Sequence, residues 1–321
     1  MGMKTKTAIL VEPGKFEIQE QEILLQPDEV LVKVEVCGLC NWELNHFKGL
    51  IGECPMTLGH EWAGIIEETG AQVTRLRKGD RVTVLPDKLE GFAQYAAVQE
   101  ALCFRLGDDI DVKKGFLEPL KCIVTVLQAA APQAGDYGVV VGCGPMGLWC
   151  LQALSGNLLA GLIAVDVDDG KLALAKRMGA SAVVNSRRED APKRIRELTE
   201  GHMADFVIEG TGLSQVMEAC ADYCKDGPSR LCVMSYYEEP MEQFHFRRFL
   251  DKGTSIFTPH PVSEREPLDA ARRATVMINN HTFRQEEIVT HTYRLEQIEE
   301  AFKTLANKPK DFVKGVVYPN A

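Results

Sequence analysis

The sequence predicts an α/β chain of two domains: one mainly β and barrel-like, the other a doubly wound parallel sheet covered by helices. Three observations carry this. Residues 7–105 break into short strand-like runs separated by turn residues. From about residue 120, apolar strands alternate with helical stretches, the pattern of a parallel sheet. After about 257 that alternation stops, with Pro259, Pro261 and Pro267 crowded ahead of two helices and a last strand.

The elements follow in order. Residues 7–11 form a first strand, and 29–36 (EVLVKVEV) alternate strictly, as a half-buried strand does. Strands at 64–68, 81–85 and 92–98 are set off by Gly70, Gly79-Asp80 and Pro86-Asp87. In the second region 137–141 is an apolar strand, 145–155 a helix and 162–167 a strand. A helix at 170–178 presents Lys171, Lys176 and Arg177 outward, and short apolar strands stand at 182–185, 206–209 and 231–235. The tail reads as helices at 268–279 and 295–306 and a strand at 314–318, which returns to the first domain. The expected domains are 1–122, 123–257 and the returning 258–321.

Composition narrows the function. Of 321 residues, 45% are hydrophobic and 26% charged, which excludes disordered and fibrous classes. Lys and Arg number 36 against 46 Asp and Glu, a net charge of −10. That balance argues against non-specific binding to nucleic acid or anionic membranes and points to a small-molecule partner. Residues 1–10 hold two lysines and no long apolar run, so no secretory signal is expected and the cytoplasm is the expected compartment. The uncharged stretch 137–165 could span a bilayer by length, but six glycines and Pro145 make it a buried nucleotide-binding core. Ten cysteines are scattered along the chain, and only Cys37 and Cys40 form a CxxC. A reducing compartment favours burial or metal ligation over disulfides, and one CxxC supports no four-cysteine zinc site.

Gly142-Cys143-Gly144-Pro145-Met146-Gly147 is a GxGxxG run that follows a strand and opens a helix. Gly142 allows the tight turn, Gly144 admits the pyrophosphate, and Gly147 permits close helix packing. The helix start at Pro145 and Met146 offers N–H groups to phosphate. Nineteen residues after Gly147, Asp166 ends the next strand. Its carboxylate can accept hydrogen bonds from both adenosine ribose hydroxyls and would repel a 2′-phosphate, so NAD is expected over NADP. Lys171 could reach the same ribose.

Cys40, His60, Glu61 and Glu118 are candidate metal ligands. A thiolate, an imidazole and a carboxylate suit zinc with one position left open for substrate. On extended backbone His60 and Glu61 would point to opposite sides, leaving only one of them easily in contact with a metal. Lys121 is placed near the metal because it neighbours Glu118.

The chain resembles the zinc-dependent medium-chain dehydrogenase/reductase family over nearly its whole length. The resemblance rests on Cys37-Gly-Leu-Cys40, Gly59-His60-Glu61-Trp62-Ala63-Gly64, Gly79-Asp80-Arg81-Val82, Glu118-Pro119-Leu120, the GCGPMG run at 142–147, and Ala164-Val165-Asp166. Gly179-Ala180, Glu209-Gly-Thr-Gly212 and the tail from Leu295 to Val317 follow in the usual order. It implies a GroES-like catalytic domain split around a Rossmann domain, and assembly as a homodimer or homotetramer. It implies Cys40 as the zinc ligand in preference to Cys37, with His60 and one or both of Glu61 and Glu118. The Glu-Pro-Leu form looks most like the polyol and sugar dehydrogenase branch.

Two departures from the family pattern stand out. The cysteine-rich lobe that holds a second, structural zinc in many members is deleted between Val84 and Phe92, so a single catalytic zinc is expected. The Ser or Thr that usually follows the zinc cysteine by two residues, and starts a proton relay, is Trp42; the customary Asp after it is Glu43. An indole N–H only donates. The proton then falls to Glu43, His46, Lys121 or a zinc-bound water, or ordinary activity is lost. Trp42 stacks on a sugar ring, narrows the pocket or packs in the core. The expected reaction is NAD-dependent oxidation of a secondary alcohol, with a polyol, sugar or cyclitol as substrate. The alternatives are a zinc-free reductase of the same fold and a non-catalytic NAD-binding protein.

Overall fold

The computed structural model of the chain describes residues 2–237, 244–260 and 266–321. It contains two compact units, Met1–Lys121 with Leu268–Ala321, and Cys122–Pro267. The sequence expectation was 1–122 with 258–321, and 123–257.

The first unit is built on a seven-stranded sheet. Its spatial order is Val289–Arg294, Lys314–Tyr318, Glu29–Gly38, Trp62–Thr69, Arg81–Val84 and Cys103–Arg105, with Tyr95–Gln99 also paired to Glu29–Gly38. Met3–Glu12, Lys15–Ile23 and Met56–Thr57 make a smaller sheet. Strand Glu29–Gly38 departs from the half-buried expectation. Its Val positions have no exposure, and even Glu29 is buried, because partners flank it on both edges. Glu29 is made tolerable there by the Gln26 N–H at 3.0 Å and Lys88 at 3.3 Å. The C-terminal strand pairs antiparallel with this same strand, Val316 opposite Gly38 and Val317 opposite Cys37.

Three strands escape a reading by hydrophobic period. Lys15–Ile23 (KFEIQEQEI) is almost wholly exposed and is held as the outer strand of a hairpin with Met3–Glu12. Val289–Arg294 is an edge strand with one buried residue, and Thr254–Phe257 ends the sheet of the second unit. Edge strands need little apolar surface, so alternation is weak in them.

The second unit is a six-stranded parallel sheet. In space the strands run Ala182–Asn185, Gly161–Asp166, Tyr137–Val141, Phe206–Glu209, Ser229–Val233 and Thr254–Phe257. Numbered along the chain this is third, second, first, fourth, fifth, sixth, the order of a doubly wound dinucleotide-binding sheet. The crevice of such a sheet opens beside its first strand, at the C-terminal ends of the strands. The uncharged stretch resolves into the strand Tyr137–Val141, the helix Pro145–Leu154 and the strand Gly161–Asp166. Among the described residues no helix is long and apolar enough to cross a membrane.

Candidate metal centre and dinucleotide site

The metal candidates come from three places in the first unit. Cys40 precedes the helix Asn41–Phe47, on extended backbone. That helix is seated by its core face, where Phe47 stacks at 5.8 Å on Phe16 and at 5.3 Å on Phe302. Phe302 belongs to the helix Ile298–Asn307, so the returning tail helps fix the position of Cys40. His60 and Glu61 lie just before strand Trp62–Thr69, outside the regular extended backbone. Gly59 ahead of them has φ +107°, and a Cβ there would stand 2.5 Å from the Phe92 nitrogen. The segment is therefore not the extended backbone on which His60 and Glu61 would diverge, and donor atoms of Cys40, His60 and Glu61 all lie within 4.8 Å of one another.

Glu118 stands beside this group. Its Oε2 is 3.8 Å from His60 Nε2, and its Oε1 is 3.4 Å from Lys121 Nζ. Lys121 is buried, one helical turn along from Glu118. Cys37 is fully buried on its strand, where burial pushes its thiol well above the ordinary range and the Glu43 and Glu61 carboxylates add to the rise.

Glu43 sits behind the histidine. Its Oε1 accepts from Gly59 N at 2.7 Å and His60 N at 3.1 Å, and lies 2.8 Å from His60 Nδ1. This carboxylate–imidazole contact leaves Nε2 to face a metal and selects the tautomer that does so. Burial disfavours a charged His60, but Glu43 and then Cys40 outweigh it and raise its pKa well above the ordinary value. Glu43→Gln keeps an acceptor but removes the charge. Zinc affinity is expected to fall about 10- to 100-fold, read by competition with a chelator.

Lys314 was missed by the sequence analysis. It lies on the C-terminal strand and is buried, with Nζ 2.5 Å from Glu61 Oε2 and 2.9 Å from the Leu39 carbonyl oxygen. Burial pushes Glu61 up and Lys314 pulls it back. The available signal was a lysine set among apolar residues in Phe312-Val-Lys-Gly-Val-Val317, since a buried lysine needs a partner. A thiolate, an imidazole and a carboxylate at this separation fit zinc, and the buried Lys314 and Glu43 supply the outer contacts such a site needs.

Trp42 is 45% exposed and is not a core residue. Its ring meets the His60 ring edge-on, with centroids 5.5 Å apart. His46, one turn on, is buried at 4.5 Å from Trp42.

In the second unit the glycine-rich run has the turn and the close helix approach that its spacing predicts. Gly142 has φ +92°, closed to most side chains, at the end of strand Tyr137–Val141. A Cβ on Gly147 would lie 2.0 Å from the Gly142 carbonyl oxygen, so the helix presses on the turn itself. A Cβ on Gly144 would meet nothing within 4 Å. Pro145 and Met146 open the helix Pro145–Leu154. Asp166 ends the adjacent strand with Oδ2 accepting from Cys143 N at 2.7 Å, against the glycine-rich turn. Its Oδ1 accepts from Val167 N and Asp168 N at 2.7 and 3.0 Å. Lys171 begins the following helix, where its backbone N–H is capped by Asp168, and its charge is close enough to act on Cys143.

Known proteins share these features. Residues 26–108 match the family profile described as "Alcohol dehydrogenase GroES-like domain", and 145–272 the one described as "Zinc-binding dehydrogenase". The chain is 27% identical to D-arabinitol dehydrogenase 1 of Uromyces fabae, over 98% of this chain and 97% of that protein. It is 30% identical to (R,R)-butanediol dehydrogenase of Bacillus subtilis, over 61% of this chain and 67% of that protein. A solved Escherichia coli oxidoreductase/dehydrogenase of unknown specificity superposes with a TM-score of 0.88 at 26% identity, covering 98% of this chain and 99% of that one.

Proposed function

The chain belongs to the zinc-dependent medium-chain dehydrogenase/reductase family, with a GroES-like domain and a Rossmann domain, and on that footing we propose that it oxidises a secondary alcohol of the polyol, sugar or cyclitol class with NAD. The observation that carries the reading is the convergence of Cys40, His60 and Glu61 donor atoms within 4.8 Å. Cys40, His60 and Glu61 would hold a single zinc. When bound, zinc polarises the substrate hydroxyl oxygen as a Lewis acid and the nicotinamide accepts the hydride.

The chain's own residues do the rest. Glu43 fixes the His60 tautomer, and Lys314 holds one oxygen of Glu61 so that the carboxylate keeps a single orientation. Glu118, tied to Lys121, borders the centre on the side of His60 Nε2. Trp42 has no acceptor to take the alcohol proton and serves as an apolar wall beside His60, suited to the C–H face of a sugar or polyol. Gly142, Gly144 and the helix start at Pro145 and Met146 cradle the pyrophosphate, and Asp166 takes the adenosine ribose.

Asp166 supports NAD over NADP, with Lys171 reaching the same ribose. In Asp166→Ser the two ribose hydrogen bonds weaken and the repulsion of a 2′-phosphate goes. NAD affinity is expected to fall about 10- to 100-fold, the equivalent of ~1.5–3 kcal/mol, while NADP affinity does not fall. Isothermal titration with both dinucleotides checks this.

The test of the reading is elemental analysis of the purified protein, followed by turnover of polyols, sugars and cyclitols with NAD and NADP. One zinc per chain and reduction of NAD by a member of the panel are expected. Two zincs per chain overturn the single site, and zinc-loaded protein without turnover across the panel overturns the reaction. Light scattering reads the expected dimer or tetramer.

A further inference from the structure

The helix Asn41–Phe47 carries one buried side chain that neither the core nor the metal centre uses. Leu44 and Phe47 pack into the hydrophobic core, and Glu43 backs His60. His46 is 7% exposed, yet both of its ring nitrogens are buried and make no hydrogen bond. The Ile51 backbone lies close enough to the ring to act on it as an acceptor, but outside good hydrogen-bond geometry. Gly52, with φ +74°, closes the Nδ1 side: a Cβ there would stand 2.4 Å from Nδ1. Trp42, one helical turn earlier, covers another side edge-on at 77°. The indole therefore touches two imidazoles, the His60 of the metal centre and the unpartnered His46, while remaining open to solvent.

A neutral imidazole offers one donor and one acceptor. Buried polar groups in folded proteins are overwhelmingly paired, and an unpaired one marks a missing partner. The Glu43 carboxylate acts on His46 from the same helix, but no side chain hydrogen-bonds its ring, and the Trp42 ring that covers it is half-exposed. We propose that His46 is a specificity-determining residue that hydrogen-bonds a second hydroxyl of the substrate while the reacting hydroxyl is at the metal centre. The inference rests on the dehydrogenase reading above and names the residue by which the polyhydroxylated class is told from simple alcohols. The substrate turns the Trp42 indole aside, its second hydroxyl takes the place of the indole beside the His46 ring, in the plane of its nitrogens, and its C–H groups lie against the displaced ring. A site built to pair a hydroxyl discriminates strongly against an analogue without one, because the analogue leaves the buried group unmet.

The three tryptophans provide a readout that needs no turnover. Trp62 and Trp149 are 1% and 0% exposed, so a ligand-induced change in emission that disappears in Trp42→Phe reports Trp42. The experiment titrates the zinc-loaded protein with pentitols and hexitols and, separately, with 2-pentanol and 2-hexanol. The same compounds are then run as substrates with NAD. Wild type is expected to show a saturable emission change with a polyol and a kcat/KM for that polyol well above that for the single-hydroxyl alcohol. His46→Leu is expected to lower the polyol-to-alcohol ratio of kcat/KM by at least ~30-fold and to raise the polyol half-saturation by a similar factor, with His46→Gln recovering part of both. Should His46→Leu fail to retain zinc, Gly52→Ala decides, because its Cβ displaces the His46 ring without changing its chemistry. An unchanged ratio and unchanged half-saturation in these variants overturn the role of His46 and leave the dehydrogenase standing. Absence of turnover in wild type overturns the dehydrogenase. The fluorescence titration then still decides for His46: binding lost in His46→Leu upholds the subsite and binding retained overturns it.

Discussion

Cys40→Ala is expected to abolish turnover, by at least ~1,000-fold, while NAD affinity stays within about twofold of wild type. Removing the thiolate leaves His60 and Glu61, and two ligands do not make the three-ligand arrangement, open at its fourth position, that keeps a catalytic zinc. The several kcal/mol that a Lewis acid contributes to the alkoxide-like transition state then disappear. The dinucleotide site belongs to the other compact unit, built on Gly142, Gly147 and Asp166, so its affinity has no reason to follow. The measurements are zinc per chain, kcat/KM on the best substrate of the panel, and NAD binding by titration. Chelation of zinc from wild type should reproduce the same split and re-addition should reverse it. Turnover retained in both Cys40→Ala and chelated wild type would sink the metal mechanism.

Lys314→Met is expected to destabilise the zinc-free protein by about 3–5 kcal/mol. The ammonium is the partner of a carboxylate that is 2% exposed, and it also satisfies the Leu39 carbonyl. Without it Glu61 loses its hydrogen-bonded ammonium and keeps only the His60 imidazole as a cationic neighbour, and breaking a buried pair costs far more than the pair contributes. Methionine preserves most of the stem volume, so the loss is electrostatic and not a cavity. Urea unfolding of the zinc-free forms measures the difference. Zinc bound beside Glu61 supplies a substitute cation, so the deficit should shrink when the protein is loaded. Equal stability of variant and wild type without zinc would show that the ion pair is not what holds Glu61.

The sheet of the second unit was legible because buried parallel strands are continuous apolar runs: 137–141, 182–185 and 206–209 coincide with observed strands. The glycine-rich run was legible for a different reason, since positive φ at Gly142 and the 2.0 Å approach at Gly147 admit no other residue. The short helix Asn41–Phe47 was not legible. Seven residues nucleate no helix alone, and it exists because Phe47 joins a three-ring cluster with Phe16 and Phe302, partners 31 and 255 positions away along the chain.

Residue types and their order therefore sufficed to name the fold, the glycine-rich turn and the candidate metal ligands. Which carboxylate lies with Cys40 and His60 was beyond them. His60 and Glu61 read as diverging by strand geometry, and only the bend after Gly59 brings both to one point. Lys314 is 253 residues from Glu61 and reaches it only when the last strand pairs with Glu29–Gly38. Local sequence encodes backbone preference and burial through short-range sterics and hydrophobic period. The charge environment of a buried group depends on which distant segments are brought against it, and that is decided when the sheet closes.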